Sequence, residues 1–246
     1  MPETFLLVRL LNDLLMGVEV WAYQSIGVTP AEAAQKAIKV NQALGLELLV
    51  VAGLVAFFLL VKLTLSVDKP NPAQQIAEIV HDFTGNQGEQ VIGHGYERFQ
   101  PFVTCILLFV LLNNFTGLIP GVVTSTSLPS VPLALAVLTF VFYHYHGFRA
   151  NGVGYVKQFL GPVWWIAWLL LPIEIISHCA RMMSLTIRLY ANMFASDLVT
   201  LVFFSLVPLA LPAAFLGLHF FVSCIQAYIF MLLSMIYLSQ AVSHEH

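Results

Sequence analysis

The spacing of charged residues limits what this chain can fold into more than any other feature of its sequence. Residues 48–61 carry no charged side chain, and residues 163–244 carry very few. Only 9% of all residues are charged and 59% are hydrophobic, whereas soluble domains have about 25% charged residues. A formal net charge of −3 also excludes a basic nucleic-acid-binding protein. The sequence therefore predicts an all-α polytopic membrane protein, because a helix satisfies its own backbone polar groups in lipid.

Five segments are long and apolar enough to cross about 30 Å of hydrocarbon. Three spans are predicted at residues 44–67, 102–119 and 131–148, and two more form a long helical hairpin over residues 163–246. Pro208 and Pro212 divide this hairpin. Its first arm has about forty residues and would be about 60 Å long at 1.5 Å per residue, so we expect it to tilt, bend or break.

Two regions are predicted to lie outside the hydrocarbon, and residues 44–246 form the integral membrane domain. Residues 1–43 form an extracellular amphipathic segment, and their acidic residues argue against a cleaved signal peptide. Residues 68–100 are too polar to cross and are predicted to contain a short amphipathic cytoplasmic helix. Its apolar stripe consists of Ile76, Ile79, Val80 and Phe83.

The basic residues of the connectors predict the orientation of the chain. The turns at residues 121–130 and 208–212 contain no lysine or arginine. The opposite connectors contain Lys69, Arg98, Arg149 and Lys157. Because basic connectors stay in the cytoplasm, we expect the amino terminus outside and the carboxyl terminus inside. The bacterial plasma membrane is the expected location.

Three charged residues recur every seven positions in the first arm of the hairpin: Glu174, Arg181 and Arg188. Seven residues advance a helix by about 700°, which is about 20° short of two turns, so the three lie near one face. Ser184 and Asn192 widen this polar face. The arm therefore has a polar stripe that cannot face lipid.

Further polar residues lie near this stripe. Asp197 is nine residues after Arg188 and points about 180° away from it, while His219 and Gln226 share a face of the second arm. Asp197, Glu174 and His219 can all exchange protons. They are candidate relay groups on either side of Arg188.

Arg188 is the most informative residue, because it lies near the middle of the first arm. Burial of an arginine there costs roughly 2.5 to 3.5 kcal/mol, and the nearest acid on the same face is about 21 Å away. A guanidinium stays protonated and is thus a fixed positive barrier. We expect its partner to be a carboxylate of another chain or an ion path.

Arg181 has two structural explanations, an ion pair with Glu174 or a snorkelling anchor. Together they explain this residue as well as a functional role does.

Two segments resemble the most characteristic parts of subunit a of the F-type ATP synthases. They are residues 188–193, Arg-Leu-Tyr-Ala-Asn-Met with Asp197 following, and residues 226–231, Gln-Ala-Tyr-Ile-Phe-Met. The resemblance extends to the five spans, to Asn114 and Pro120 at the end of the second span, and to the spacing of the polar residues.

This resemblance implies a stator that carries protons, or sodium ions, in two aqueous half-channels. Arg188 would face a carboxylate of the rotating c-ring, with Gln226 beside it. Asn192, Asp197 and His219 match the outer path, and Glu174 matches the inner path. The family also implies contact with the b subunits of the peripheral stalk and with lipid. It implies no cofactor, no metal ion and no covalent chemistry in this chain.

The chain departs from the family pattern at several positions. Tyr190-Ala191 stands where many members have Phe-Gly, and Met182 stands where many have proline. Asp197 replaces a glutamate, so its contact with His219 is expected to need a bridging water. Arg181 keeps the charge of a residue that is often lysine.

Three other classes of protein are alternatives to this interpretation. A membrane cytochrome would use imidazole ligands, and the candidates are His144, His146, His178 and His219. A self-contained secondary transporter should show an internal repeat, and the sequence has no convincing one. A purely structural subunit does not explain Arg188.

The cysteines, at positions 105, 179 and 224, lack the spacing of metal ligands.

Overall fold

The computed structural model describes residues 42–66, 69–119, 122, 124–152, 154–155, 167–206 and 210–242. They form six α-helices: α1 (Gln42–Leu63), α2 (Pro72–Val91), α3 (Gln100–Phe115), α4 (Ser130–Asn151), α5 (Ala167–Leu206) and α6 (Ala210–Val242). No strand occurs among these residues. The predicted all-α class is confirmed. Almost all of the predicted segment 1–43 lies outside the described residues, as do Pro120, Lys157, Pro208 and the last four residues.

Every helix except α2 is long and apolar enough to cross a membrane. The candidate spans are Leu44–Leu63, Gln100–Leu118, Ser130–Asn151, Trp168–Phe203 and Ala214–Val242. They match the five predicted segments. Large apolar side chains such as Leu60 and Ile176 are exposed on their outer faces, as expected for helices whose solvent is lipid. The chain is an integral membrane protein.

Helix α2 occupies the polar connector between the first two spans. It begins with Pro72, whose fixed φ suits the first helical position, and its 20 residues exceed the short helix predicted there. Ile76 and Ile79 are exposed, whereas Val80 packs against the core. The buried Gly88 brings α2 close to Tyr96, since a Cβ at this glycine would lie 2.9 Å from the ring.

Helix α5 is continuous over 40 residues and contains Pro172 within its first turns. At 1.5 Å per residue it is about 60 Å long, twice the thickness of the hydrocarbon. The sequence predicts that this arm tilts, bends or breaks. The continuous helix excludes a break between Ala167 and Leu206.

The core lies where α3, α4, α5 and α6 meet, and the contact of α3 with α6 is the most extensive. Its centre is fully buried and consists of Val110, Leu189, Met193, Phe230 and Met231. Leu189 and Met193 are one turn apart on α5, so they turn one face of that helix into the core. The opposite face, which includes Ile187, is left exposed.

Candidate ion-translocation site

Arg188 lies on α5 at the border between the buried face and the exposed face. Leu189 beside it is fully buried, Ile187 is 53% exposed, and Arg188 itself is half-buried. Within the described part of the chain, no carboxylate comes within ion-pair distance of the Arg188 guanidinium. Because this charge is permanent, it requires water or an acid outside the described residues.

Gln226 reaches Asn192 from the neighbouring helix. The amide Nδ2 of Asn192 donates a hydrogen bond of 3.0 Å to Oε1 of Gln226, which is 2% exposed. Since Asn192 is one turn after Arg188 on α5, this pair places amide groups of both arms next to the arginine. The structure thus brings together three of the predicted site residues.

Asp197 is held by the connector between α3 and α4. Its Oδ2 accepts hydrogen bonds from the backbone N–H of Thr124 at 3.1 Å, from Thr124 Oγ1 at 2.5 Å and from Ser127 Oγ at 2.5 Å. The hydroxyls of Ser125 and Thr126 donate to the preceding asparagines of α3. A connector that the sequence suggested only as a turn therefore forms one wall of the site.

His219 is 1% exposed and lies between α5 and α3. Its Nδ1 is 2.6 Å from Ser196 Oγ, and its Nε2 is 3.2 Å from the backbone oxygen of Asn114. The distance from Nδ1 to Asp197 Oδ1 is 3.8 Å, which is too long for a direct hydrogen bond. This geometry agrees with the expectation that the shorter acid does not bond directly to His219.

Gly117 makes this close packing possible. A Cβ at this position would lie 2.8 Å from His219 Nε2 and 3.0 Å from Asp197 Oδ1, and it would overlap Thr124 Cγ2. Each distance is shorter than or at the limit of normal contacts with a Cβ, so only glycine fits without movement of the site. Sequence reasoning missed Gly117, because nothing in its local sequence shows which distant residues it will face.

Two buried polar atoms of this region lack a partner among the protein atoms described: Asn114 Nδ2 and Ser223 Oγ. Asn114 Oδ1 accepts a hydrogen bond of 2.7 Å from Thr126. Ser223 is one turn after His219 on α6, so both groups belong to the surroundings of that histidine. An unpaired buried polar group costs about 1 to 3 kcal/mol, which favours contact with water.

Glu174 and Arg181 lie on the part of α5 that precedes Arg188, and they do not pair with each other. The carboxylate of Glu174 is 3.3 Å from His178 Nε2. Arg181 donates from Nη1 to Gln240 Oε1 at 2.8 Å and lies over the ring of Tyr237 at 5.5 Å. Of the explanations left open for Arg181, the ion pair with Glu174 is therefore not formed, because α6 offers the guanidinium an acceptor and an aromatic face.

Comparison with known proteins identifies the family. The model of the ATP synthase A chain family matches residues 46–239. ATP synthase subunit a of Koribacter versatilis (strain Ellin345) is 51% identical over the full length of both chains. Subunit a of Solibacter usitatus (strain Ellin6076) is 46% identical over 82% of this chain and 87% of its own. Subunit a 1 of Syntrophotalea carbinolica is 40% identical over 76% of this chain and 80% of its own.

The chain belongs to the ATP synthase A chain family. The relatives named above are each a subunit a of an ATP synthase. The remaining secondary candidate, Ser184, lies on the exposed face of α5. No group of three or more His, Cys, Asp or Glu residues in the described ranges is placed to hold a metal ion.

Proposed function

We propose that this chain is the stator subunit of the membrane sector of an F-type ATP synthase and carries protons past Arg188 in two half-channels. The observation that supports this best is a permanent positive charge at mid-membrane with no acidic partner in the described chain. A moving carboxylate of another subunit would supply that partner. Residues 163–246 are the ion-translocating hairpin in this proposal.

The exposed face beside Arg188 suits a surface over which a ring of helices passes. Small side chains, Ser184 and Ala191, are exposed on α5, and Ile187 and Ile225 add an apolar border. Such a surface of mostly small and apolar side chains provides few hydrogen bonds that would hold a rotor in one position. We assign this face to the c-ring.

The outer half-channel is assigned to Asp197, His219 and the Asn192–Gln226 pair. These groups follow one another along the two arms from the connector at Thr124 toward Arg188. The unpaired atoms of Asn114 and Ser223 lie along this route and are expected to bind its water. A proton from outside would move along this path to neutralise a ring carboxylate.

The inner half-channel is assigned to Glu174. It is about 21 Å along α5 from Arg188 and about 35 Å from Asp197 at 1.5 Å per residue, so the two paths do not meet. Arg188 prevents a direct leak between them and attracts the ring carboxylate that has lost its proton. Each charge moved through 100 mV supplies about 2.3 kcal/mol, which drives rotation.

The basic connectors support an amino terminus outside and a carboxyl terminus in the cytoplasm of a bacterial plasma membrane. In this orientation, Asp197 lies toward the outside and Glu174 toward the cytoplasm. The peripheral-stalk b subunits would bind the lipid-facing sides of the spans away from the ring.

The experiment that tests the proposal is ATP-driven proton pumping by membrane vesicles that carry the Arg188→Ala variant of the complete complex. We expect pumping to be abolished, because a neutral side chain neither blocks the leak nor attracts the ring carboxylate. Co-purification of the ring shows that the variant is assembled. Coupled pumping at the wild-type rate in an assembled Arg188→Ala complex would disprove the stator role.

A further inference from the structure

Glu174 is one end of a chain of hydrogen-bonding groups that joins α5 to α4. Its Oε1 is 3.3 Å from His178 Nε2, and His178 Nδ1 is 2.9 Å from the hydroxyl of Tyr143. Tyr143 is 3% exposed and His178 is 9% exposed, whereas 40% of the Glu174 side chain is exposed. The acid thus lies at an open end, and its two partners are buried behind it.

The two contacts together assign the proton of the imidazole. If the Tyr143 hydroxyl donates to Nδ1, then Nε2 carries the hydrogen and donates it to the Glu174 carboxylate, so every group has a suitable partner. The other tautomer would turn the lone pair of Nε2 toward a carboxylate oxygen, which is repulsive. The ionised Glu174 therefore selects the tautomer with the hydrogen on Nε2, because a carboxylate only accepts, and Tyr143 supports this tautomer by donating to Nδ1.

We propose that Tyr143 and His178 are positioning residues that hold Glu174 for proton release on the cytoplasmic side. This inference rests on the proposed function, because it gives a role to the inner half-channel. Hydrogen bonding at one oxygen leaves the other oxygen of Glu174 free. That oxygen binds one proton from the path and passes the same proton to cytoplasmic water.

Other titratable and charged groups lie near this chain of hydrogen bonds. The His144 ring is 5.0 Å from the His178 ring, and Arg181 lies one turn beyond His178 on α5. The remaining titratable neighbours among the described residues are Tyr155, Cys179 and Tyr237. Arg181 faces Gln240 and Tyr237 and does not contact Glu174. His178 is therefore the basic group that directly touches this acid in the described part of the chain.

The test compares four variants of the complete ATP synthase in vesicles, with ATP-driven pumping measured against the pH of the cytoplasmic side. His178→Leu removes the donor to Glu174, and His178→Gln keeps a donor in its place. Tyr143→Phe removes only the hydroxyl. The matched control is His146→Gln, since His146 lies on the same helix as Tyr143 but bonds to the backbone oxygen of Phe142.

Loss of one such hydrogen bond corresponds to an effect of about three- to tenfold. We expect His178→Leu to lower the pumping rate by this factor and to displace the pH profile on the cytoplasmic side only. His178→Gln should restore most of the rate, Tyr143→Phe should lie between the two, and His146→Gln should match the wild type. If His178 were purely structural, its replacement would not shift the pH dependence of pumping on one side of the membrane alone.

Several outcomes would overturn the inference. Wild-type profiles for His178→Leu and Tyr143→Phe, in a complex that Arg188→Ala inactivates, would disprove the positioning role and leave the proposed function intact. An assembled His178→Gln complex as slow as His178→Leu would also disprove it. If the His178→Leu complex does not assemble, the pH profile of Tyr143→Phe is the test instead, since this variant deletes a single oxygen. A wild-type profile for it would then disprove the positioning role. Pumping by Arg188→Ala would instead disprove the proposed function.

Discussion

At the scale of single residues, the packing of the site depends on a glycine that has no side chain. Asp197, His219 and Thr124 approach one another only because Gly117 has no side chain. The glycine has no positive φ, so it is required by space and not by backbone conformation. This distinguishes it from Gly93 and Gly95, which have φ values of 80° and 89°.

We predict that Gly117→Ala impairs pumping severely, because a methyl group at this position overlaps Thr124 and crowds both His219 and Asp197. Overpacking of this kind costs about 1 to 3 kcal/mol, and the outer path would be displaced. The measurement is ATP-driven pumping together with thermal unfolding of the purified complex.

The matched control for this variant is Gly53→Ala in α1. A Cβ at Gly53 meets nothing within 4 Å, and alanine favours a helix over glycine by about 1 kcal/mol. This variant should pump normally. A Gly117→Ala complex that pumps as well as Gly53→Ala would show that the site relaxes around the added methyl group.

At the scale of the helices, polar bonds fix how α5 and α6 lie against each other. Arg181 bonds to Gln240, Asn192 bonds to Gln226, and Ser196 bonds to His219. The partners run in opposite directions along the two helices, as an antiparallel pair requires. A shift of one turn would break all three bonds at once.

We predict that Arg181→Ala leaves ATP-driven pumping largely intact but lowers the stability of the subunit by about 1 to 2 kcal/mol. The variant loses one hydrogen bond to Gln240 and one contact with the Tyr237 ring, and neither contact touches the assigned proton paths. Thermal unfolding in detergent measures the change. Arg149→Ala is the control, because Arg149 is exposed at the end of α4. Loss of pumping in Arg181→Ala without loss of stability would contradict this assignment.

The sequence predicts the helices well and their tertiary contacts poorly. The five spans follow from uninterrupted apolar length, and the face shared by Glu174 and Arg188 follows from helical periodicity. The hydroxyl-rich connector at Thr124 was interpreted as a turn, because serine and threonine favour turns wherever they occur. The hydrogen bond of Thr124 to Asp197 joins residues 73 positions apart in the sequence. No short sequence pattern predicts a contact between residues so far apart.

At the scale of the whole molecule, the proposal depends on which side of the membrane each connector occupies. The connector that holds Asp197 must open outward, and α2 must lie in the cytoplasm. Basic residues in the connectors favour this arrangement. The reverse orientation would exchange the two proton paths and so reverse the roles of Asp197 and Glu174.

Labelling of single cysteines tests the orientation. In a chain whose cysteines at 105, 179 and 224 are replaced, Ser130→Cys introduces a thiol at the exposed start of α4, and Asp82→Cys introduces one on the exposed side of α2. We predict that a membrane-impermeant maleimide labels Ser130→Cys in intact cells and labels Asp82→Cys only in inverted vesicles. Denatured samples of both variants control for reactivity. The opposite pattern would place Glu174 outside. The two half-channel assignments would then have to be exchanged, because the proposed separation of the paths by Arg188 does not depend on the orientation.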